Sequence, residues 1–236
     1  MANDFFQFKQ FTIHQQHCAM KVGTDGTLLG SWASAPAGAC RILDVGTGTG
    51  LIALMMAQRF PEAQVTGIDI DTDAVGQASE NALESPFKER IMIREGDVTR
   101  MEDADGFDAI VCNPPFFDRS LTCPDQQRTE ARHTVSLTYR QLMESAFRLL
   151  KDDGRLSVII PADCRSRLES EAHLVGFFIS RICSIQTTPK KIPKRYMIEF
   201  RKQPVKEIDT ECGIIELSPQ ERSPWYQQLI NDFYIK

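Results

Sequence analysis

The sequence predicts a single α/β domain of 236 residues, a mostly parallel doubly wound sheet with helices on both faces. Three observations predict it. From Arg41 onward, short apolar runs alternate with stretches whose apolar residues recur at helical spacing. Three glycines at alternate positions, Gly46, Gly48 and Gly50, separate the first such strand from the first such helix. Acids stand at the carboxyl ends of successive strands, Asp44, Asp69 and Asp97, the edge at which open α/β sheets bind ligands.

In chain order, the first 40 residues are mixed in pattern and close with a small-residue linker from Ala35 to Cys40. Within them Thr24, Asp25 and Gly26 form an expected turn and helix cap before an apolar helix over Thr27–Trp32. Arg41–Val45 is a strand, Leu51–Phe60 a helix, Val65–Asp69 a strand, Thr72–Glu84 a helix and Ile91–Arg94 a strand. Phe107–Cys112 is a strand stopped abruptly by Asn113 and two prolines. Leu137–Leu150 is a helix closed by the turn Asp152-Asp153-Gly154, and Arg155–Ile160 a strand ended by Pro161. The tail differs: the loop between Phe177–Gln186 and Arg195–Lys202 is too short for a crossover helix, so these two runs form an antiparallel pair at the sheet edge. Ile214–Leu217 adds an extended piece and Pro224–Tyr234 a terminal helix, with Trp225 and Tyr226 as packing residues.

Composition narrows the function classes. The chain is 42% apolar and 25% charged, an ordinary globular balance. It has no apolar run near the ~18–20 residues of a membrane span and no basic-then-apolar leader, so a soluble cytoplasmic protein is expected. Seven cysteines without C-x-x-C spacing argue against a disulfide framework and a structural zinc. Cys112 and Cys183 sit in apolar runs as buried small hydrophobes. His14 and His17 stand three apart with no further ligand nearby, so no metal is expected. The net charge of −5 does not advertise nucleic-acid binding, yet Lys190, Lys191, Lys194, Arg195, Arg201 and Lys202 face only Glu199 in the same stretch.

The chemistry concentrates in LDVGTGTG. Its glycines allow a tight turn and bring a ligand close to backbone N–H groups at a helix start. The spacing is G-x-G-x-G and an acid precedes it, unlike the dinucleotide pattern G-x-G-x-x-G. Asp44 would repel a pyrophosphate and suits a cationic amino group. Asp69, about 20 residues beyond the glycines, can accept ribose hydroxyls. Asp97 can reach an adenine amino group.

LDVGTGTG, GIDID and EGD together resemble the first three motifs of the S-adenosylmethionine-dependent, class I methyltransferases. The likeness covers about residues 42–160. It implies a Rossmann-like sheet of seven strands whose last two are the antiparallel pair. It also implies that Gly46, Gly48 and Gly50 hold the methionine part of the cofactor, Asp69 with Ile70 beside it the ribose, and Asp97 the adenine.

Asn113-Pro114-Pro115-Phe116 then falls at the end of the fourth strand, facing the reactive methyl. An amino group conjugated to a purine is a poor nucleophile. Two acceptors, the Asn113 side-chain oxygen and the Pro114 carbonyl, can aim its lone pair, with Pro115 stiffening the turn and Phe116 stacking on a base turned out of its helix. The motif resembles the N-P-P-[FY] signature of methyltransferases acting on planar nitrogens: adenine N6, guanine N2 of ribosomal RNA, or a glutamine side-chain amide. A module that binds cofactor or RNA without catalysis is the reading of a different class.

FKQF and CAMKVGTDGTLLGSW narrow the choice. With QQRxxARH at 126–133 and the terminal DFY, they resemble, over nearly the whole chain, the bacterial tRNA adenine-N6 methyltransferases that modify the base just 3′ of the valine anticodon, position 37. That likeness implies tRNA as partner, an N-terminal segment over residues 1–35 covering the cofactor with Lys21, Thr24 or Asp25 near its methionine end, a core over 41–161, and C-terminal strands and tail over 176–236. Asn113 also joins the cofactor set. Arg128, Arg132 and His133 are expected on RNA phosphates, as are Lys190, Lys191, Lys194 and Arg195. No membrane and no obligate protein partner are implied.

Overall fold

The computed structural model describes residues 4–16, 18, 21–114 and 137–235. The chain opens with a hairpin, β1 (Phe5–Gln7) and β2 (Thr12–His14), and the helix α1 (Thr24–Trp32). The alternating core follows: β3 (Arg41–Val45), α2 (Leu51–Arg59), β4 (Gln64–Asp69), α3 (Thr72–Leu83), β5 (Ile91–Glu95) and β6 (Phe107–Cys112). Then come α4 (Tyr139–Leu149), β7 (Leu150–Pro161), α5 (Arg165–Val175), β8 (Phe178–Gln186) and β9 (Arg195–Arg201). The chain ends with β10 (Asp209–Ile214), a small pair β11 (Glu216–Ser218) and β12 (Glu221–Arg222), and α6 (Pro224–Ile230).

The main sheet runs β10-β8-β9-β7-β6-β3-β4-β5. Only β9 opposes its neighbours: it pairs antiparallel with β7 and β8, while every other pairing is parallel. The antiparallel pair is therefore present as expected. Its expected place at the edge is corrected, because β10 adds an eighth strand outside β8. The short apolar piece expected over Ile214–Leu217 is instead the end of β10 and the start of β11.

Alternation along each strand divides the core. Ile42, Ala109 and Val111 face one cluster with α1, α2 and α6, while Leu43, Val45, Ile110 and Cys112 face another with α4 and α5. Asp44 has the parity of Ile42 and points toward α2. Cys112 and Cys183 are buried as expected, and the six described cysteines are free.

Thr24, Asp25 and Gly26 do not form the expected cap. They are the first turn of α1, behind Gly23. Gly26, expected in that turn, serves helix packing instead, as does Gly30. A Cβ on Gly26 would lie 3.1 Å from a Leu51 methyl, and one on Gly30 would lie 2.7 Å from Met55 Sδ, so α1 crosses α2 closely at two positions one turn apart. The predicted turn Asp152-Asp153-Gly154 is absorbed into β7, where the register against β6 slips between Phe107 and Ala109. Helix α4 starts two residues later than predicted because Thr138 and Gln141 cap it reciprocally. Helix α6 ends at Ile230 rather than Tyr234. Ser223 caps its start, Tyr226 is buried, and Gly213 leaves room for the Trp225 ring. Among the described residues no helix is long and apolar enough to cross a membrane.

Candidate functional site

The carboxyl edge of the sheet gathers the predicted residues. Val45 pairs with Ile68 on one side and Cys112 on the other, so the chain leaves β3, β4 and β6 at neighbouring points. Gly46, Gly48 and Gly50 all take positive φ, at 68°, 54° and 80°, where a side chain would be strained. The N–H groups of Gly46 and Thr47 donate to the Ile68 carbonyl at 2.9 and 3.1 Å, fastening the loop to β4. A Cβ at Gly46 or Gly48 would meet nothing within 4 Å, whereas at Gly50 it would lie 3.3 Å from Ala78. The loop is thus packed at its end and open at its first two glycines.

Asp44 lies beneath this loop with no exposed surface. Its Oδ2 accepts from the Thr47 hydroxyl at 2.7 Å and from the Ala53 N–H, on α2, at 3.1 Å. Its Oδ1, equally buried, has no donor among the described residues. Burial pushes the carboxyl up to about 7, and the two hydrogen bonds only partly oppose it. Gly67 makes the arrangement possible: a Cβ there would sit 2.7 Å from Thr47 Oγ1. The sequence reading passed over Thr47 and Gly67. A glycine inside a strand is the available signal, since it marks close approach by another group.

Asp69 Oδ2 accepts from the Gly48 N–H at 2.9 Å and Oδ1 from the Asp71 N–H at 3.1 Å. A carboxylate offers about four acceptor positions, so both oxygens retain capacity for hydroxyl donors. Ile70 beside it is 45% exposed, an apolar surface at the mouth of the site. Asp97 Oδ1 caps the short turn after β5, accepting from the Thr99 N–H and hydroxyl at 2.9 and 2.7 Å. The Thr99 hydroxyl bond holds its carboxyl below the ordinary value. Its Oδ2 faces Arg100 at 3.8 Å.

Asn113 follows β6 at the same edge, and its buried Oδ1 also lacks a donor among the described residues. Pro114 is buried behind it. Pro115, Phe116, Arg128, Arg132 and His133 lie outside the described residues, as does His17.

The remaining candidates separate. Lys21 and Thr24 are exposed near the start of α1. Asp25 receives a hydrogen bond from Arg195 Nε at 2.8 Å, so Arg195, grouped with the RNA-facing cations by its sequence position, is bound to the N-terminal helix. Because β8 runs parallel to β7, the β8–β9 loop lies at the carboxyl edge with Asn113. There Lys190, Lys191 and Lys194 are exposed and, among the described residues, form no ion pair. Ile192 between them is 82% exposed.

Comparison with known proteins agrees with this geometry. Residues 25–177 match the family model described as "Methyltransferase small domain". A Bacteroides thetaiotaomicron protein named tRNA1(Val) (adenine(37)-N6)-methyltransferase is 46% identical, covering 100% of this chain and 99% of its own. A Vibrio cholerae protein of the same name is 40% identical, covering 100% of this chain and 97% of its own. A crystal structure described as a predicted O-methyltransferase from Agrobacterium tumefaciens shares the fold, with a TM-score of 0.67 and 21% identity over 89% of this chain and 96% of its own. The glycopeptide N-methyltransferase MtfA, solved with S-adenosylmethionine, aligns at a TM-score of 0.57 and 12% identity over 78% of this chain and 89% of its own. An open glycine loop over a buried acid, at the strand edge where a second buried acceptor waits, is accounted for by that descent: the chain belongs to the methyltransferase small domain family.

Proposed function

We propose that this chain is a cytoplasmic enzyme that transfers a methyl group from S-adenosylmethionine to N6 of an adenine in tRNA, at position 37 of valine tRNA. The observation that carries the reading is a pair of buried acceptors without donors, Asp44 Oδ1 and Asn113 Oδ1, at the ends of adjacent strands. Six other buried side-chain polar atoms also lack a partner among the described residues; these two are set apart by their place at the carboxyl edge of adjacent strands, which is why each is read as a place for a donor from outside the chain. The cofactor's cationic amino group suits the first and a purine amino group the second. Full-length relatives at 40–46% identity carry the corresponding name.

The residues present fit the cofactor. Asp44 takes its charged amino group, Gly46 and Gly48 leave room for its methionine part, Asp69 and Ile70 hold its ribose, and Asp97 meets its adenine. Lys21 and Thr24 border it from the N-terminal segment, which covers the site. When bound, the cofactor supplies a methyl group activated by a sulfonium. Asn113 is an amide and takes no proton; it orients N6 with the Pro114 carbonyl and offers a dipole set in place beforehand. Pro115 stiffens that turn, and Phe116 stacks on the base. Lys190, Lys191 and Lys194, together with Arg128, Arg132 and His133, meet the tRNA backbone, an attraction that weakens as salt rises. No metal enters this reading.

The test is transfer of labelled methyl from S-adenosylmethionine to total RNA from a strain lacking the gene, followed by separation of nucleosides. N6-methyladenosine in the tRNA fraction is the expected product. N2-methylguanosine in ribosomal RNA, or label in protein alone, would keep the fold and cofactor and overturn the substrate.

A further inference from the structure

The cofactor loop is held from behind by one side chain. Asn81, on α3, is fully buried, and its amide binds the main chain of two separate segments. Its Oδ1 accepts from the His14 N–H at 2.8 Å, and its Nδ2 donates to the His14 carbonyl at 2.8 Å and the Thr49 carbonyl at 2.9 Å. His14 ends β2, and Thr49 lies between Gly48 and Gly50. One turn earlier on the same helix face, Ala78 packs on Gly50. The His14 side chain takes no part: it meets Glu84 at 3.3 Å in an exposed pair.

Beyond β2 the described chain runs through Gln15 to Cys18 and Val22. Gln15 is buried, and its Oε1 accepts from the Val22 N–H at 2.8 Å, drawing the ends of this segment together. Between them the Cys18 thiol is pushed up to about 11, first by burial and then by Asp69, Asp71 and Asp73. Cys18 is therefore near the acid that ends β4.

We propose that Asn81 is a positioning residue for the cofactor, holding the glycine loop in its binding shape and the N-terminal hairpin in its covering place with a single amide. The inference rests on the cofactor reading above. Its chemistry requires one acceptor and two donors in a small side chain: a carboxylate in that place cannot donate, and an aliphatic group can do neither. Ordering of the loop by the cofactor then also orders β1 and β2.

Two variants and one exchange experiment test this. Asn81→Asp keeps the acceptor for the His14 N–H and loses both donors, and Asn81→Ala loses all three bonds. Either should raise KM for S-adenosylmethionine about tenfold while kcat stays within about twofold. His14→Ala, which leaves the main-chain bonds in place, should stay near wild type. In the wild-type protein, S-adenosylhomocysteine should slow amide hydrogen exchange over residues 5–14 as well as 46–50; in the variants the slowing should be confined to 46–50. An unchanged KM in a folded variant would overturn the proposal. So would wild-type exchange over 5–14 that ignores S-adenosylhomocysteine, a result that needs no variant. A wild-type protein that binds no S-adenosylhomocysteine would overturn the cofactor reading itself.

Discussion

Two buried carboxylates on the same sheet have opposite surroundings. Glu199, on β9, is 3% exposed. Its Oε1 accepts from the Ser180 hydroxyl at 2.7 Å, its Oε2 accepts from the Ser34 hydroxyl, and Arg201 Nε lies 3.5 Å away. Asp44, on β3, has two donors on one oxygen and, among the described residues, none on the other and no cation. Both carboxylates left water on folding, at a cost that partners must offset. Glu199 finds its partners within the chain. Asp44 is left incomplete among the described residues, which is why it is proposed as the acceptor for the cofactor's amino group. Burial alone does not separate the two acids; the unmatched oxygen at the carboxyl edge does.

The comparison breaks most visibly at the second incomplete acceptor. Asn113→Ala should lower kcat about 100- to 1000-fold while the affinity for S-adenosylhomocysteine changes little, because the lost group acts on the target amine. Unchanged turnover in a single-turnover assay would sink the orienting role.

Gly67→Ala tests what holds Asp44 in place. The new Cβ would displace Thr47 and remove its hydroxyl from Oδ2. KM for S-adenosylmethionine should rise about tenfold, matched by Thr47→Ala, with kcat nearly constant. If Thr47→Ala leaves KM untouched, the hydroxyl does not prepare the site.

Glu199→Ala supplies the contrast. It should lower stability by about 1–3 kcal/mol in denaturant unfolding, since two hydroxyls lose their acceptor and Arg201 its ion-pair partner, and leave KM for the cofactor unchanged. A changed cofactor affinity would show that the two acids are coupled.

The smallest effect is a proton. Burial raises Asp44 to about 7 in the free protein, above the ordinary carboxylate value of about 3.9. The folded state therefore favours the protonated form, and this group's contribution to stability is complete below about pH 4 and is lost as pH rises toward 7. A cationic amino group at Oδ1 favours the ionised form, so binding S-adenosylhomocysteine at about pH 6 should release up to about one proton, and at about pH 8.5 almost none. Calorimetry in buffers of different ionisation enthalpy measures this directly. Equal proton release at both values would exclude Asp44 as the acceptor.

Much of the fold was legible because strand and helix periodicities are local. β3 and β6 match their predicted bounds, and α2, β4, α3, β5 and β8 fall within a residue of them. The exceptions share a cause. Gly26 was expected in a turn, yet the need to bring α1 against α2 at Gly26 and Gly30 outweighs the entropic cost of glycine in a helix. The edge position of the antiparallel pair failed because β10, DTECGI, carries a weak strand signal and forms by pairing with β8.

The sequence by itself determined the glycine loop, the acids after successive strands and the Asn-Pro-Pro-Phe break. Positive φ, a stopped strand and the order of the elements are written in residue types and spacing. The tertiary structure decided which polar atoms remain unmatched. Arg195 meets Asp25 across 170 residues, and Asn81 joins His14 to Thr49 across the loop it supports. Whether a buried oxygen has a donor depends on every segment packed against it, and no local pattern carries that sum.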